Sequence, residues 1–331
     1  MKVFVTGPDG VLGSNLVREL LKKNYEVSVL VEKNKKTPTL DNLPIKKIHG
    51  CLLNLEGLIE ATKKVDYIIH CGALTTVYPP RSRIVNDVNI TGTNNILSAS
   101  IINNIKRLIY VGSASSFGPG TKLKAGNENS RYIGDKYGLD YIDSKYHAQL
   151  RVIEEIEKNN LDAVIVNPTF MIGPYDSKPS SGAMILGLYN KKIPGYTKGG
   201  KNFIAVKDVA VGIVNSIKFG RKGECYILGN ENLDYQQFFQ KVDVTLGIKS
   251  PKLKLNKKIV NVIGKVNSTL GNLLNYTPKL SYEMAVISNE EHYYSSMKAQ
   301  MELYLPQTPI EVAIKECFDW FNENGYIDPE D

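Results

Sequence analysis

Tyr141 and Lys145 stand four residues apart in a run whose apolar positions, Ala148, Val152 and Ile156, predict a helix from about Tyr141 to Ile156. Both side chains would then leave one face. A phenol with a reference pKa near 10 moves protons poorly at neutral pH. An ammonium about 4 Å away, at an effective dielectric near 20, contributes roughly 4 kcal/mol, or about 3 pK units. Tyrosine then becomes a usable general acid or base. Spacing alone is not specific, because among 19 tyrosines Tyr132 and Lys136 form a second such pair. Gly134 and Gly138 make that stretch a poor helix, so it reads as a loop.

The second chemical feature is the run Thr6-Gly7-Pro8-Asp9-Gly10-Val11-Leu12-Gly13, between Val3-Phe4-Val5 and an apolar stripe of Leu12, Leu16, Val17, Leu20 and Leu21. Glycines here permit a tight turn, let backbone approach a pyrophosphate, and pack helix on sheet, while the helix start at Val11 and Leu12 favours an anion. Dinucleotide binding over Gly7, Gly10 and Gly13 is the reading. Glu32 lies about twenty residues further on, where an acid accepts hydrogen bonds from the adenosine ribose and opposes a 2′-phosphate. Lys33, Lys35 and Lys36 follow closely enough to neutralise such a phosphate. The expected cofactor is NAD(H) or NADP(H), with Glu32 tipping the balance toward NAD(H).

The elements that must position these groups alternate. Val3–Val5, Val27-x-Val29-x-Val31, Tyr67–Ile69, Leu108–Val111 and Val164–Val166 read as buried strands, separated by amphipathic segments around Leu16, Leu58 and Ile96. The fold expected is α/β, a doubly wound parallel (Rossmann) sheet over residues 1–168, with 208–230 returning to it. Beyond Pro168 the prolines and glycines from Pro174 to Gly200 punctuate short elements, so 169–207 and 231–331 are expected to form a smaller, mostly helical substrate lobe.

The Gly-x-x-Gly-x-x-Gly spacing resembles that of the extended short-chain dehydrogenase/reductases, the NAD-dependent epimerase/dehydratase family. His70-Cys71-Gly72-Ala73, Val88-Asn89-Ile90-Thr91-Gly92-Thr93, Tyr110 to Gly118, Tyr141 to Lys145 and Phe203 to Val209 continue the resemblance over nearly the whole chain. Val166-Asn167-Pro168-Thr169, with Ile172-Gly173-Pro174, is similar to the dihydroflavonol-reductase-like branch. The resemblance implies that Tyr141 is the general acid/base and that Lys145 lowers its pKa and holds the nicotinamide ribose. Ser113, four residues before Phe117-Gly118, would supply the catalytic hydroxyl, with Ser115 and Ser116 as competitors. It also implies cofactor contacts at Cys51, Leu52, Gly72, Ala73, Asn89, Pro168 and Thr169. Cys51 stands where the family usually has an aspartate facing the adenine.

Two departures carry information about chemistry. Ala114-Ser115 replaces the Asp-Glu pair of sugar-nucleotide dehydratases, which argues against elimination of water. Lys201-Asn202-Phe203 and Ala205-Val206-Lys207-Asp208 depart from the nucleotide-sugar anchoring motifs. The function expected is therefore a reductase or dehydrogenase acting on a ketone or secondary alcohol, with a nucleotide-sugar epimerase and a dinucleotide-binding redox sensor as alternatives. Thr75, Val77, Tyr78, Ser115, Phe117, Met171, Ile172 and Tyr196 are candidate substrate contacts, mostly apolar.

Composition bounds the rest. The 331 residues, 42% hydrophobic and 23% charged, suit two globular lobes. No apolar run reaches the roughly 18 residues of a membrane helix, and the start lacks a leader pattern, so a cytosolic protein without a membrane partner is expected. The net charge of +7 reads as solvated, scattered lysine with no nucleic-acid module. Four separated cysteines read as buried free thiols, four histidines as structural, and Asp135, Asp140 and Asp143 as a solvated face; no metal is expected. A small-molecule substrate is the expected partner, and a homodimer is open.

Overall fold

A computed structural model describes residues 1–327. Its centre is a seven-stranded, all-parallel sheet in the order β3-β2-β1-β4-β5-β6-β9. The strands are β1 (Lys2–Thr6), β2 (Glu26–Val31), β3 (Lys46–His49), β4 (Tyr67–His70), β5 (Arg107–Val111), β6 (Ala163–Pro168) and β9 (Cys225–Leu228). Successive side chains alternate between two cores, as the strand period requires. Val3, Val5, Ile69, Ile109, Val111, Val164 and Val166 face one core. Phe4, Ile68, Leu108, Tyr110, Ala163 and Ile165 face the other.

The first core is covered by α1 (Val11–Lys22), α7 (Val206–Phe219) and α11 (Met297–Leu303). The second lies under α2 (Leu55–Thr62), α4 (Gly92–Ile102) and α5 (Asp140–Asn159). Short α3 (Arg83–Asn86) and a wide π-turn at Asp87–Thr91 lead into α4. The sheet's direction of growth reverses between β1 and β4, so the crevice beyond their carboxyl ends is where a ligand is expected to bind.

β7 (Phe170–Ile172), β8 (Gly200–Ala205), β10 (Glu231–Asp234) and β11 (Glu291–His292) form a second sheet centred on β8. It packs with α6 (Ala183–Tyr189), α8 (Tyr235–Leu246) and α12 (Ile310–Glu323) around the stacked pair Phe203–Phe238, 4.3 Å between centroids. The lobe is mostly helical, as expected, but its strands are short and pair across long sequence separations, so local periodicity does not announce them. β3 also escaped the pattern, since Lys46-Lys47-Ile48-His49 is a charged edge strand. Finally, α9 (Lys257–Leu274) and α10 (Tyr282–Ile287) pack on each other, α10 lying against Tyr137, Leu139 and Ile142.

Candidate active site

The glycine turn joins β1 to α1, and its three glycines do three different things. Gly7 has φ +65°, and a Cβ there would lie 2.7 Å from the Cα of Gly72, which follows β4 across the crevice. Both positions therefore need the smallest residue. A Cβ on Gly13 would sit 2.1 Å from the Gly7 carbonyl oxygen, so this glycine lets helix meet strand. A Cβ on Gly10 would meet only that oxygen, at 3.8 Å. Among the described residues nothing else comes within 4 Å of that position, and α1 starts there with no side-chain cap and no acid in its first turn. Free N–H groups facing open space suit a pyrophosphate.

Beneath the turn, a chain of hydrogen bonds fixes both strand ends. The Gly72 N–H donates to Thr6 Oγ1 (3.0 Å), which lies 2.7 Å from His70 Nδ1; His70 Nε2 lies 3.0 Å from Thr93 Oγ1, which donates to the Asn89 carbonyl at 2.7 Å. Thr93 spends its one proton on Asn89, so His70 Nε2 is the donor to Thr93 Oγ1, and in the neutral ring Nδ1 then accepts from Thr6 Oγ1. Burial, aided by the charge of Lys145, lowers the His70 pKa to about 3. Asn89, in the π-turn, clamps Leu74 by accepting from its N–H (2.7 Å) and donating to its carbonyl (2.9 Å), and donates to Ser144 Oγ at 2.9 Å. Its amide holds the loop after β4 onto α5. Leu52 packs within van der Waals reach of Gly72 and Gly92, while the thiol of Cys51 is exposed.

At the adenosine end, Glu32 and Lys33 are exposed just past β2. Lys35 bridges Asp9 of the glycine turn, at 3.0 Å, and Glu32, at 3.4 Å. Beside them Lys35, Lys36, Lys47 and His49 border a hollow of about 350 Å³.

Ser113, Tyr141 and Lys145 converge at the carboxyl end of β5. Ser113 caps the turn at Ala114–Ser116, accepting from the Ser115 N–H (3.3 Å), and its hydroxyl lies 2.8 Å from Ser115 Oγ. Its carbonyl accepts from Asn167 Nδ2 (3.1 Å), which also donates to Gln149 Oε1 (2.7 Å). Burial raises the Tyr141 phenol above its ordinary value, and a hydrogen bond with Ser113 opposes that rise. The Lys145 ammonium, expected to sit beside the phenol, instead donates to the Val111 carbonyl at 2.7 Å and lies 4.8 Å from the centre of the Tyr110 ring. A buried ammonium needs an acceptor, and the free carbonyl at the strand end supplies it. Burial lowers the Lys145 pKa to about 8.

The rival pair is taken apart. Tyr132 donates to Asp143 Oδ1 (2.6 Å) and stacks on Tyr146, while Lys136 pairs with Glu290 (2.8 Å). Asp140 and Asp143 are not a solvated face: both pair with Arg81, at 2.8 and 2.9 Å, and Asp140 Oδ2 accepts from the Ser82 N–H at 2.6 Å. This clamp on residues 81–82 went unread because its partners are 59 residues apart. The cysteines are free, but only Cys317 is buried; Cys51 is exposed and Cys71 and Cys225 are half-buried.

The substrate candidates scatter. Val77 packs in the cluster holding Tyr141, Met284 and Val286, and Phe117 packs with Ala114, Ile227 and Tyr294. Thr75 is exposed. Tyr78 turns to α9, donating to the Ser268 carbonyl at 3.1 Å. Tyr196 meets Phe239 edge-on in the core around the second sheet, where Ile172 is buried, and Met171 packs on the first core of the main sheet. Pro168 ends β6 and Thr169 donates to Asn202 Oδ1 at 2.8 Å.

The family model for the NAD dependent epimerase/dehydratase family matches residues 3–229. This chain belongs to that family. It is 32% identical to a putative dihydroflavonol 4-reductase of Synechocystis sp. over 98% of this chain and 95% of that protein. It is 26% identical to sterol demethylase protein B of Methylococcus capsulatus over 99% of this chain and 100% of that one. The crystal structure of gox2253 superposes with a TM-score of 0.86 at 29% identity, covering 98% of this chain and 99% of that one. The protein is thus an NAD(P)-dependent enzyme of the extended short-chain dehydrogenase/reductase type, and the uncapped helix over an open Gly10 fits a dinucleotide's pyrophosphate.

Proposed function

We propose that this enzyme interconverts a ketone and a secondary alcohol on a small, rather apolar substrate, with Tyr141 as the group that moves the proton. The observation that carries the reading is the convergence of the Ser113 hydroxyl, the Tyr141 phenol and the Lys145 ammonium at the end of β5, over the crevice that the glycine turn opens. A nicotinamide dinucleotide, when bound, supplies or accepts the hydride.

The chain's own residues do the rest. Ser113, with Ser115 2.8 Å away, donates a hydrogen bond to the substrate oxygen and holds it toward Tyr141. Tyr141 gives its phenolic proton to that oxygen as the alcohol forms, and takes it back in the reverse direction. Lys145, anchored on the Val111 carbonyl, keeps a positive charge under the site that favours the phenolate and is free to turn toward a ribose hydroxyl. Gly7, Gly10 and Gly13 with Val11 and Leu12 cradle the pyrophosphate, Gly72 and Ala73 line the crevice, and Glu32 faces the adenosine ribose, giving preference to NAD(H). Residues 1–168 and 208–230 act as the cofactor-binding unit, and the remainder as the substrate lobe.

Val77, Met284 and Val286, which pack on the same buried cluster of Tyr137, Leu139, Ile142 and Ile287 as Tyr141 does, support a lipophilic substrate. The putative dihydroflavonol reductase and the sterol demethylase protein point the same way by name. A panel of aliphatic, alicyclic and steroid ketones, followed by loss of NADH or NADPH absorbance, tests the reading. Stoichiometric cofactor consumption supports a reductase. Conversion of a nucleotide sugar with no net cofactor change would replace it by an epimerase.

A further inference from the structure

One helix does not behave as a surface helix of a soluble enzyme should. α9 buries Val260, Gly264 and Gly271, the glycines letting it lie close to α10 and the 276–278 turn: a Cβ on Gly264 would sit 2.7 Å from that of Ala285. Its other apolar residues face solvent. Val262 is 61% and Leu273 74% exposed, and Ile259, Ile263, Val266, Leu270 and Leu274 are exposed with them. At 100° per residue these seven fall within an arc of about 120°, a stripe along a helix of about 27 Å. A stripe of that width is ordinarily a buried face.

The charge around it is as one-sided. Between Asp243 and Glu283 the chain carries seven lysines, from Lys249 to Lys279, and no acidic residue. That equals the whole net charge of +7, leaving 34 basic against 34 acidic residues elsewhere. Most of the lysines are scattered, but the excess of positive charge is concentrated here. Lys258 and Lys265 fall on the flank of the stripe opposite the packed face. A second copy packed antiparallel along this face by a two-fold axis would bring the Lys258 and Lys265 flanks together, which is destabilising. An apolar stripe edged only by lysine complements a bilayer surface carrying anionic lipid.

We propose that α9 docks this enzyme onto an anionic lipid bilayer, its apolar stripe entering the headgroup–acyl boundary and the lysines of residues 249–279 lying among the lipid phosphates. The helix lies on the membrane and does not cross it; among the described residues no helix is long and apolar enough to do so. This departs from the expectation of no membrane partner. The docked face is one layer from the proposed reaction centre. α9 receives the Tyr78 hydroxyl from the loop after β4, and α10, packed on α9, adds Met284 and Val286 to the apolar cluster on which Tyr141 also packs. On the reading of a lipophilic substrate, α9 would bring the site to where that substrate dissolves.

The test is flotation of the whole protein with vesicles of phosphatidylcholine plus phosphatidylglycerol, or of phosphatidylcholine alone, without substrate or cofactor, so that its outcome is independent of the reaction proposed above. Wild type should float with the anionic vesicles and be released as salt rises to about 0.5 M. Lys258→Glu with Lys265→Glu should weaken partitioning at least 25-fold, at about fivefold for each lysine removed. Val266→Ser with Leu270→Ser should abolish flotation, and Val266→Trp should strengthen it, each with an unchanged melting transition. Wild type remaining with the solvent fraction would overturn the proposal, as would flotation indifferent to phosphatidylglycerol. So would a doubled mass by light scattering that Val266→Ser with Leu270→Ser returns to that of one chain, since a second copy would then cover the stripe.

Discussion

Tyr141 is the residue on which the proposed chemistry turns. Tyr141→Phe keeps the ring and removes the proton, so turnover with an accepted ketone should fall by roughly 10² or more while dinucleotide affinity, measured by calorimetry, stays near wild type. Tyr132→Phe, whose partner is Asp143, should be nearly silent in turnover; an inactive, folded Tyr132→Phe would shift the assignment. Lys145 makes a prediction needing no substrate. Its pKa is about 8 in the fold against an ordinary 10.5, so at neutral pH the fold carries a buried charge that the unfolded chain keeps in water. The unfolded chain binds the extra proton between those two values, hence stability rises with pH across that window. The stability difference between wild type and Lys145→Met should therefore move by about 3 kcal/mol in favour of wild type from pH 8 to 10.5, read from urea midpoints. A difference flat with pH would mean that Lys145 is not held in a dry site. The helical spacing of the pair was legible in the sequence, but the ammonium's choice of the Val111 carbonyl over the phenol was not. That depends on which acceptor the end of a neighbouring strand leaves free.

Among the elements, the glycine turn separates binding from folding. Gly10→Val adds atoms only to open space, so the protein should fold normally yet lose dinucleotide affinity by calorimetry. Gly13→Ala places its methyl 2.1 Å from the Gly7 carbonyl and should cost stability, several degrees or more in melting temperature, before any ligand is considered. Retained affinity in a folded Gly10→Val protein would remove the pyrophosphate from this turn. Apart from the charged edge strand β3, the main sheet was readable because its strands serve two buried faces and are largely apolar, as Ile68-Ile69 and Leu108-Ile109 show. β8 was not, because Lys201 and Asn202 interrupt it and its partners lie on three separate segments. The Arg81 clamp and the Asn89 clamp were hidden for the same reason: Asp140 and Asn89 look like ordinary polar residues until the fold supplies their partners.

At the scale of the molecule, His70 ties acid stability to the site's foundation. Its pKa of about 3 in the fold lies below the ordinary 6.5, so as pH drops the unfolded chain takes up a proton that the fold refuses, and stability falls with it. From pH 6.5 to 5 this one residue should cost about 2 kcal/mol. His70→Gln, less stable at pH 7 for want of the bonds to Thr6 and Thr93, should show a shallower loss toward pH 5 in urea titrations. Equal slopes would place the acid sensitivity elsewhere.

The route of the backbone has a last consequence, which concerns the growing chain on the ribosome. After β6 the polypeptide leaves the main sheet for some forty residues and comes back only with α7, which covers α1, and β9, which pairs Cys225 to Leu228 along β6. Until residue 228 has emerged, β6 keeps an open edge and α1 lacks the cover of Val209, Ile213 and Ile217. Nascent chains halted before that point should remain open to protease throughout residues 1–168, and resistance should arrive as one step once β9 has cleared the exit tunnel. The amino-terminal half, though first to be made, would then wait for a strand encoded two-thirds of the way along the message.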